Sequence, residues 1–550
     1  MLTHYQPVWP ETAVFWGAGA TAQIGMSTTA ELAKVISLLA NKEETDLSKR
    51  VYEATKKYGK KWGNPIFDLL CILGDPGATD EDITNASNRQ FSDSQAIRIV
   101  ELQKTYDWKT LYYIINICPG GSTGNFQLQD LFNIIDMHLQ NRQGFYIDKN
   151  LFISVENLIP AKNALKMLIT LIHTLDYQIA IEKNSETLEH YKKFAQKICE
   201  LMIEEGRTFY KEFPEKTERG FYLFSHSFIS MNWDPILLWI LFNVHKETNE
   251  KNELIDSNEV PIKMFHDMGH FMGVRHISGD SPSVWYPFNE TVVQRVNDKE
   301  HRKTRIVRVG KFYFPHGCSG WRECPNCGKL TMYLGSKWGI DEKSLFPPHI
   351  LELFNFGFEK KSIEEAEAFN NGIYDALQCA FCGTITEIKH TPLVMQSNFK
   401  GEHPSFVEEI QRDMRVSLEG ARHIILMGYS LPPDDVIYRS LLAARKNREI
   451  QDGRLYCTVI GFHKDAENKW YTKDCDLENF IEKIGDHSFV RAIKSAIDIF
   501  GIENVRAYGA GIPSVFINRD TNEVDISTIK DLMYPGNIFE NNAVVRKNGQ

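Results

Sequence analysis

The sequence predicts an α/β fold in which a Rossmann-like, mostly parallel sheet carries a small cysteine-rich lobe and a large helical insertion. The first observation is the apolar run Thr12-Ala-Val-Phe-Trp16, which precedes a glycine-rich turn and a helical pattern from about Thr28 to Ala40. The second is the return of this rhythm after Pro392, where strands such as His423-Ile-Ile-Leu-Met427 alternate with helices. Such alternation is typical of a parallel sheet covered on both faces.

The segments between these two regions differ in composition and divide the chain unequally. Residues 41–220 combine charged and aromatic residues with stretches of helical period, such as Leu128 to Leu139, and we interpret them as a mainly helical insertion. A second strand-like run begins near Gly220 and leads into a helix from Ile236. The predicted divisions are the start of the Rossmann-like core (1–40), the helical insertion (41–220), the continued core (221–316), the cysteine-rich lobe (317–391), the continued core (392–515) and a C-terminal tail (516–550).

Composition indicates a globular protein of two or three domains. The 550 residues are 43% hydrophobic and 24% charged, unlike disordered, collagen-like or coiled-coil chains. The net charge of −10 argues against a globally basic nucleic-acid binder. The longest unbroken apolar stretch, Ile236 to Phe242, is well short of the roughly 20 residues of a membrane helix. Because the amino terminus also lacks the basic region of a secretory signal, we expect a cytoplasmic protein without a membrane segment.

Four of the ten cysteines form two Cys-x-x-Cys pairs. These are Cys324-Pro-Asn-Cys327 and Cys379-Ala-Phe-Cys382, each followed by a glycine. Four thiolates complete a tetrahedral zinc site of the closed, structural kind. The pattern therefore predicts that Cys324, Cys327, Cys379 and Cys382 hold zinc and that the lobe is a small zinc-binding lobe. Redox-active or unliganded thiols are the alternative.

A histidine cluster has the spacing of a second metal site. His266, His270 and His276 match the metzincin pattern His-Glu-x-x-His-x-x-Gly-x-x-His, except that Asp267 replaces the glutamate that acts as general base. The shorter carboxylate reaches a zinc-bound water poorly, and Gly269 weakens the helix that the motif requires. A polar loop or a cluster of core histidines is therefore the favoured interpretation, with a metal site as the alternative.

The glycine turn after the first strand, Gly17 to Ala22, has the form Gly-x-Gly-x-x-Ala. Glycine lets a backbone approach a diphosphate, and the amides at the start of the following helix favour an anion. The position between a strand and a helix favours a nucleotide-binding loop over a tight structural turn.

Four motifs follow one another along the chain in a specific order. They are Gly17-Ala-Gly19-Ala-Thr21 with Gly25-Met-Ser27, then Ser230-Met-Asn232-Trp-Asp234, then His316-Gly317, and finally Gly428-Tyr-Ser-Leu-Pro-Pro-Asp-Asp435. The two cysteine pairs come soon after the third motif. This ordered set resembles the sirtuin (silent information regulator) superfamily, and in particular its bacterial, sirtuin-like NAD-consuming branch.

The resemblance implies roles for individual residues. His316 would act as the catalytic base, Asn232 would orient water or the ribose, and Asp234 would hold the nicotinamide carboxamide or a neighbouring donor. The residues implied in binding NAD are Gly17, Gly19, Thr21, Gly25, Ser230, Gly428 and Ser430. From the residues alone, the alternatives are a loop histidine near the zinc site for His316 and a turn or helix cap for Asn232.

The activity implied by the resemblance is cleavage of the nicotinamide–ribose bond of NAD. The acceptor is an acyl-lysine carbonyl in sirtuins and water in the sirtuin-like NAD hydrolases of bacterial defence systems. Thr28-Thr-Ala30 stands where deacylating members have Asp-Phe-Arg, and Phe399-Lys-Gly-Glu402 stands where they have Phe-Gly-Glu. These departures favour an NAD glycohydrolase, with an implied role as an antiviral defence effector.

Two other functions stay open at this point. One is an NAD-dependent protein-lysine deacylase, and the other is a catalytically weak module that senses NAD or ADP-ribose. The length of the helical insertion further implies a regulatory protein partner or self-assembly.

Overall fold

The computed structural model describes residues 11–40, 106–123, 125–212, 223–253, 262–267, 272–276, 283–285, 306–323, 326–328, 330–333, 392–394, 397, 405–432, 435–444 and 455–534. Its helices are α1 (Ala18–Thr21), α2 (Thr29–Ala40), α3 (Trp108–Ile117), α4 (Leu128–Asn141), α5 (Val155–Lys183), α6 (Ser185–Glu212), α7 (Ile236–Glu253), α8 (Ser405–Gly420), α9 (Val436–Ala443), α10 (Leu477–Ile484), α11 (Ser488–Phe500) and α12 (Ile526–Met533).

An eight-stranded sheet forms the centre of the fold. In spatial order its strands are β13 (Trp470–Tyr471), β14 (Val505–Tyr508), β12 (Tyr456–Ile460), β11 (His423–Met427), β1 (Thr12–Trp16), β4 (Leu223–Ser230), β8 (Ile306–Tyr313) and β5 (Ile262–Asp267). All neighbouring strands run parallel except β13, which is antiparallel to β14. The predicted α/β fold with a mostly parallel sheet is therefore confirmed.

Helices cover the sheet on both faces. Every residue of β1, β11 and β12 is buried, and because successive side chains of a strand point to opposite faces, neither face is open to solvent. Helices α6 and α7 contact β5, α8 contacts β8, and α11 contacts β12 and β14. The continuous apolar composition of β1 and β11 follows from this double coverage.

The described residues between β1 and β4 are mainly helical. Helices α2 to α5 surround a second apolar core that includes Leu111, Phe132 and Leu165, and a short hairpin joins β2 (Phe145–Tyr146) to β3 (Phe152–Ile153). Helix α5 belongs to this second core as far as Ile172 and reaches the core of the large sheet at Tyr177. The helix therefore connects the helical region to the sheet.

Four further strands form a second sheet. Its spatial order is β7 (Ser283–Trp285), β6 (Met272–His276), β10 (Leu330–Tyr333) and β9 (Trp321–Glu323). Strand β6, from the predicted continued core, pairs with β10 from the predicted cysteine-rich lobe. His266 lies on β5 and His276 on β6, in different sheets, and His270 falls outside the described residues. A metzincin motif places its first two histidines on one helix, whereas the described residues of this segment form two strands.

The core of the large sheet extends past the predicted boundary at residue 515. Helix α12 buries Ile529, Leu532 and Met533 completely, and the carbonyl of Met533 accepts a hydrogen bond of 3.2 Å from the Thr12 hydroxyl. Residues 516–534 are thus part of the folded core rather than of a tail. Within the described part of the chain, helices of bilayer-spanning length and apolarity are not found.

Candidate functional site

The residues predicted to act on a nucleotide follow neighbouring strands at one edge of the large sheet. Gly17 follows β1, Met231 follows β4, Phe314 follows β8 and Gly428 follows β11. Since these strands are parallel, their carboxyl ends meet at the same edge. The chain runs from β1 to β4 and β8 on one side and later returns to β11 on the other. A crevice at such a topological switch point is the usual ligand site of an open α/β sheet.

Three glycines bring the loops after β1 and β11 into contact. A Cβ atom at Gly17 would lie 2.5 Å from the Gly428 carbonyl oxygen, and one at Gly19 would lie 2.9 Å from the same oxygen. Gly428 itself has a φ of +62°, and a Cβ atom there would lie 2.1 Å from the nitrogen of Ala20. Only glycine permits this approach.

The hydrogen bonds between these loops refine the role of the glycines. The amide of Gly17 donates to the Met427 carbonyl and that of Gly19 to the Gly428 carbonyl, both at 2.9 Å. These two amides are therefore engaged within the protein. Gly17 and Gly19 give the loops their shape, and they supply no hydrogen-bond donor to a phosphate.

Thr21 connects the glycine loop to the turn after β4. Asn232 Nδ2 donates to Thr21 Oγ1 at 3.2 Å, and Thr21 Oγ1 donates to Asp234 Oδ2 at 3.5 Å. The other carboxylate oxygen of Asp234 accepts from the amide of Ile236 at 3.1 Å, at the start of α7. The hydroxyl of Ser230 reaches the carbonyl of Asn232 at 3.4 Å. The turn is thus fixed from both sides, and its predicted cap is made by Asp234 rather than by Asn232.

Burial sets the electrostatics of this cluster. Thr21, Asn232 and Asp234 are each less than 8% exposed. Burial raises the pKa of Asp234 to about 6, and the hydrogen bonds from Ile236, Asn232 and Thr21 limit that rise. The carboxyl group is therefore close to its point of titration near neutral pH.

His316 lies against the same turn. Its ring is 3% exposed, and Nδ1 is 3.3 Å from the carbonyl oxygen of Met231, the residue before Asn232. Because a carbonyl only accepts, Nδ1 carries the proton in this contact and Nε2 is the basic nitrogen of the neutral ring. The ring of Tyr438, from α9, packs edge-on against the imidazole.

The loop after His316 is tied to the turn after β4. The amide and hydroxyl of Ser319 both donate to the carbonyl of Trp233, at 2.7 and 2.8 Å. The indole of Trp233 donates to the carbonyl of Val394, whose amide donates to the carbonyl of His316. Gly317 has a φ of +75°, and a Cβ atom there would lie 1.9 Å from the Pro392 carbonyl oxygen. The glycine after His316 is therefore required by this close contact.

Two predicted binding residues lie further out. Gly25, with a φ of +98°, ends the turn after α1 and contacts the side chain of Asn184, which donates to the carbonyl of Ile24. Ser430 lies two residues beyond Gly428 in the loop after β11 and is partly exposed. Neither residue takes part in the hydrogen bonds that join Thr21, Asn232 and Asp234.

Sequence reasoning missed Asp176, which lies in the predicted insertion. This residue of α5 is 4% exposed, and its Oδ2 accepts from the amide of Ser27 at 3.0 Å. The hydroxyl of Tyr191 on α6 likewise donates to the carbonyl of Ala20. A signal was present, since His173 and Asp176 are the only titratable residues of the apolar stretch from Leu168 to Asp176.

Thr28 also has a role that the motif comparison did not anticipate. Its hydroxyl accepts from the amide of Glu31, and the Glu31 carboxylate accepts from the amide of Thr28 at 2.7 Å. This reciprocal pair is a capping box at the start of α2. Thr28 therefore fixes the start of α2.

The predicted zinc ligands fall largely outside the described residues. Cys327 is partly buried, whereas Cys324, Cys379 and Cys382 are not among the residues described. Of the side chains that the structure does describe, no group of three or more histidines, cysteines and acidic residues is arranged to hold a metal ion. The zinc site stays a prediction from the sequence.

Comparison with known proteins adds no family. No protein-family model matches the chain, and no curated protein is detectably similar to it.

Proposed function

We propose that this chain is a sirtuin-like NAD hydrolase, which cleaves the bond between nicotinamide and ribose with water as the acceptor. The observation that carries the proposal is the convergence of Thr21, Asn232, Asp234 and His316. They come from three separate parts of the chain and lie together, buried, at the switch point of the sheet. A base, an amide and a carboxyl group close together at one edge of the sheet are the parts that such a cleavage needs.

The reaction breaks the C1′–N bond of NAD, and the bonding electron pair passes to the pyridinium nitrogen. Nicotinamide leaves as a neutral molecule while positive charge develops at C1′. The oxygen of water forms the new bond to C1′ and the water loses a proton. NAD and water thus give ADP-ribose, nicotinamide and one proton.

His316 would accept the proton that water loses. Its Nδ1 contact with Met231 leaves Nε2 as the basic nitrogen, which is the tautomer that a general base requires. Asn232 would orient the water or a ribose hydroxyl with Oδ1, because its Nδ2 is engaged by Thr21. The fixed amide spares the reaction the cost of ordering this group.

Asp234 would stabilise the charge that develops on the ribose. A preorganised carboxylate in a buried site interacts with positive charge far more strongly than it does in water. In its protonated form the same group could donate to the carbonyl of the carboxamide. The pKa of about 6 makes both forms accessible near neutral pH.

The loops after β1 and β11 would form the floor for the diphosphate. Gly17, Gly19 and Gly428 set their shape, and Gly25 and Ser430, which are both at least partly exposed, would contact the nucleotide from the solvent side. A zinc ion held by the four predicted cysteines would have a structural role, since four thiolates close its coordination.

The acceptor can be tested with purified protein and NAD, with and without an acylated peptide, by following free nicotinamide. Release without peptide supports hydrolysis, whereas release only with peptide supports a deacylase. Binding of NAD without release in either condition supports a sensor module. Failure to bind NAD at all contradicts every NAD-dependent function considered for this site.

A further inference from the structure

Helix α9 contacts the candidate site through a buried aromatic side chain. In its first turn Val436 and Ile437 are exposed, whereas Tyr438 is 1% exposed. The ring of Tyr438 packs edge-on against the imidazole of His316, with 5.5 Å between the ring centroids and 70° between the ring planes. This is a favourable geometry for a pair of aromatic rings. Tyr438 therefore places α9 directly against the proposed base.

The contact with Tyr438 restrains the plane of the His316 ring. Nδ1 of His316 lies 3.3 Å from the carbonyl oxygen of Met231. A single hydrogen bond to a carbonyl fixes one ring atom but permits the ring plane to pivot about that atom, because the angular preference of such a bond is broad. Packing of the Tyr438 ring opposes this pivoting, so that Nε2 keeps one direction.

The loop after β11 holds Tyr438 in its position. The hydroxyl of Tyr429 donates to Oδ2 of Asp435, and both residues are buried. The amide of Asp435 also donates to the carbonyl of Pro432 at 3.1 Å. Asp435 immediately precedes the first residue of α9. The loop is therefore closed by two hydrogen bonds just before the helix that carries Tyr438.

Backbone strain in the same loop indicates that the surrounding contacts impose its shape. Leu431 is buried and has a φ of +49°, in the left-handed region that bulky side chains seldom adopt. Such conformations persist where the neighbouring structure fixes them, and they cluster at functional sites. At its other end the loop accepts a hydrogen bond from Gly19 through the Gly428 carbonyl. One constrained loop thus connects the glycine turn to the residue that packs on His316.

We propose that Tyr438 is a positioning residue for His316 and that the hydrogen bond from Tyr429 to Asp435 keeps Tyr438 in place. This inference rests on the proposed function, in which His316 accepts the proton that water loses. Tyr438 acts through the imidazole and transfers no proton itself. Because a misplacement of about 1 Å can cost a hundredfold in rate, loss of the Tyr438 ring should lower kcat and leave KM for NAD almost unchanged.

The test measures kcat and KM for nicotinamide release from NAD in four full-length proteins. They are the wild type, Tyr438→Leu, which removes the aromatic ring, Tyr438→Phe, which keeps the ring without its hydroxyl, and Phe480→Leu. Phe480→Leu is the matched control, since Phe480 is also buried and stacks on Tyr471 of β13, the strand of the large sheet farthest from β8. Melting temperatures establish that each variant is folded.

We expect Tyr438→Leu to lose at least about tenfold in kcat with KM within about twofold of the wild-type value. Tyr438→Phe should recover most of that loss. Phe480→Leu should melt at a lower temperature, because a buried ring is truncated, with no selective loss of kcat. A folded Tyr438→Leu protein with the wild-type kcat overturns the inference, and so does an equal loss in Tyr438→Phe. Either result leaves the proposed hydrolase standing.

A double variant tests the route from Tyr429 to His316. Tyr429→Phe removes the hydroxyl that donates to Asp435, so we expect a loss of kcat that is smaller than in Tyr438→Leu. If Tyr429 acts through Tyr438, adding Tyr429→Phe to Tyr438→Leu causes no further loss. Additive losses, or an unchanged kcat in Tyr429→Phe alone, contradict this part of the inference.

A measurement that needs no turnover separates the inference from the proposed function. Mass spectrometry follows exchange of the His316 ring carbon hydrogen with solvent deuterium in the same proteins. We expect faster exchange at His316 in Tyr438→Leu than in the wild type, Tyr438→Phe or Phe480→Leu, because the imidazole loses the cover of the Tyr438 ring. Unchanged exchange in Tyr438→Leu overturns the inference. Faster exchange in a protein that does not cleave NAD supports the positioning contact and contradicts the hydrolase.

Discussion

Replacing Gly428 with alanine tests whether the candidate site depends on the close packing of two loops. A Cβ atom there would lie 2.1 Å from the nitrogen of Ala20, so the loops must separate by about 1.5 Å to reach ordinary contact distances. The positive φ costs alanine about 1 kcal/mol, and strain from overpacking adds about 1–3 kcal/mol. Loss of the Gly19 hydrogen bond to Gly428 adds about 1 kcal/mol. We expect a total destabilisation of about 4 kcal/mol and at least tenfold weaker binding of NAD.

Gly485 is the matched control for this substitution. Its φ is +73°, and no described atom lies within 4 Å of a Cβ atom there. Its ψ is −136°, in a backbone region that glycine alone occupies readily, so Gly485→Ala carries a backbone cost of about 1–3 kcal/mol without any steric contact. Urea unfolding midpoints of the two variants and the wild type measure the difference, and calorimetry measures NAD affinity. If Gly428→Ala is no less stable than Gly485→Ala, or binds NAD as the wild type does, the site does not depend on the close packing of the loops after β1 and β11.

Three further predictions concern the polar groups around the sheet. Thr21→Val removes the hydroxyl that joins Asn232 to Asp234, so we expect the free energy of unfolding to fall by about 1–2 kcal/mol and nicotinamide release to slow. Thr21→Ser should restore both. Wild-type stability and release in Thr21→Val would contradict the bridging role of the hydroxyl. The pKa of Asp176 in the folded state is raised from 3.8 to about 6, so ionisation of this carboxyl group destabilises the fold. The destabilisation is absent below pH 4, grows as the pH rises to about 6 and then stays near 3 kcal/mol. Asp176→Asn should therefore melt above the wild type at pH 7, with a gain that shrinks towards pH 4; a gain independent of pH would show that burial of the charge is not its cause. Glu205 pairs with the guanidinium of Arg308, which is 1% exposed and lies near the amino-terminal end of β8, whereas His316 follows the other end of that strand. Glu205→Gln should therefore lose about 3 kcal/mol with kcat unchanged once folded, and a selective loss of kcat would contradict this separation of roles.

The central strands could be predicted from the sequence because double burial makes them continuously apolar. Thr12–Trp16 and His423–Met427 have the predicted bounds. Helix ends were less certain, as α7 continues to Glu253 although its apolar pattern stops near Val244. The polar end of that helix lacks the periodic signal on which such predictions depend.

The motif residues of the candidate site could be predicted from the sequence, whereas the residues that pack around them could not. Asn232, Asp234 and His316 follow strands, and strands that are parallel bring their carboxyl ends together. Asp176 could not be assigned in the same way, because its position depends on how a long helix packs against the glycine loop. The role of Gly19 could not be predicted either, because the same glycine pattern permits close contact with a phosphate or with another loop.

Nicotinamide release by wild type, Asn232→Ala and His316→Ala tests the proposed site most directly. The three proteins are compared at saturating NAD, without peptide, after their melting temperatures show that they are folded. We predict that the wild type releases nicotinamide and ADP-ribose in equal amounts and that His316→Ala loses at least about a hundredfold in kcat, as expected for a general base. Asn232→Ala should show a comparable loss. Release at the wild-type rate by both folded variants would contradict cleavage of NAD at this edge of the sheet.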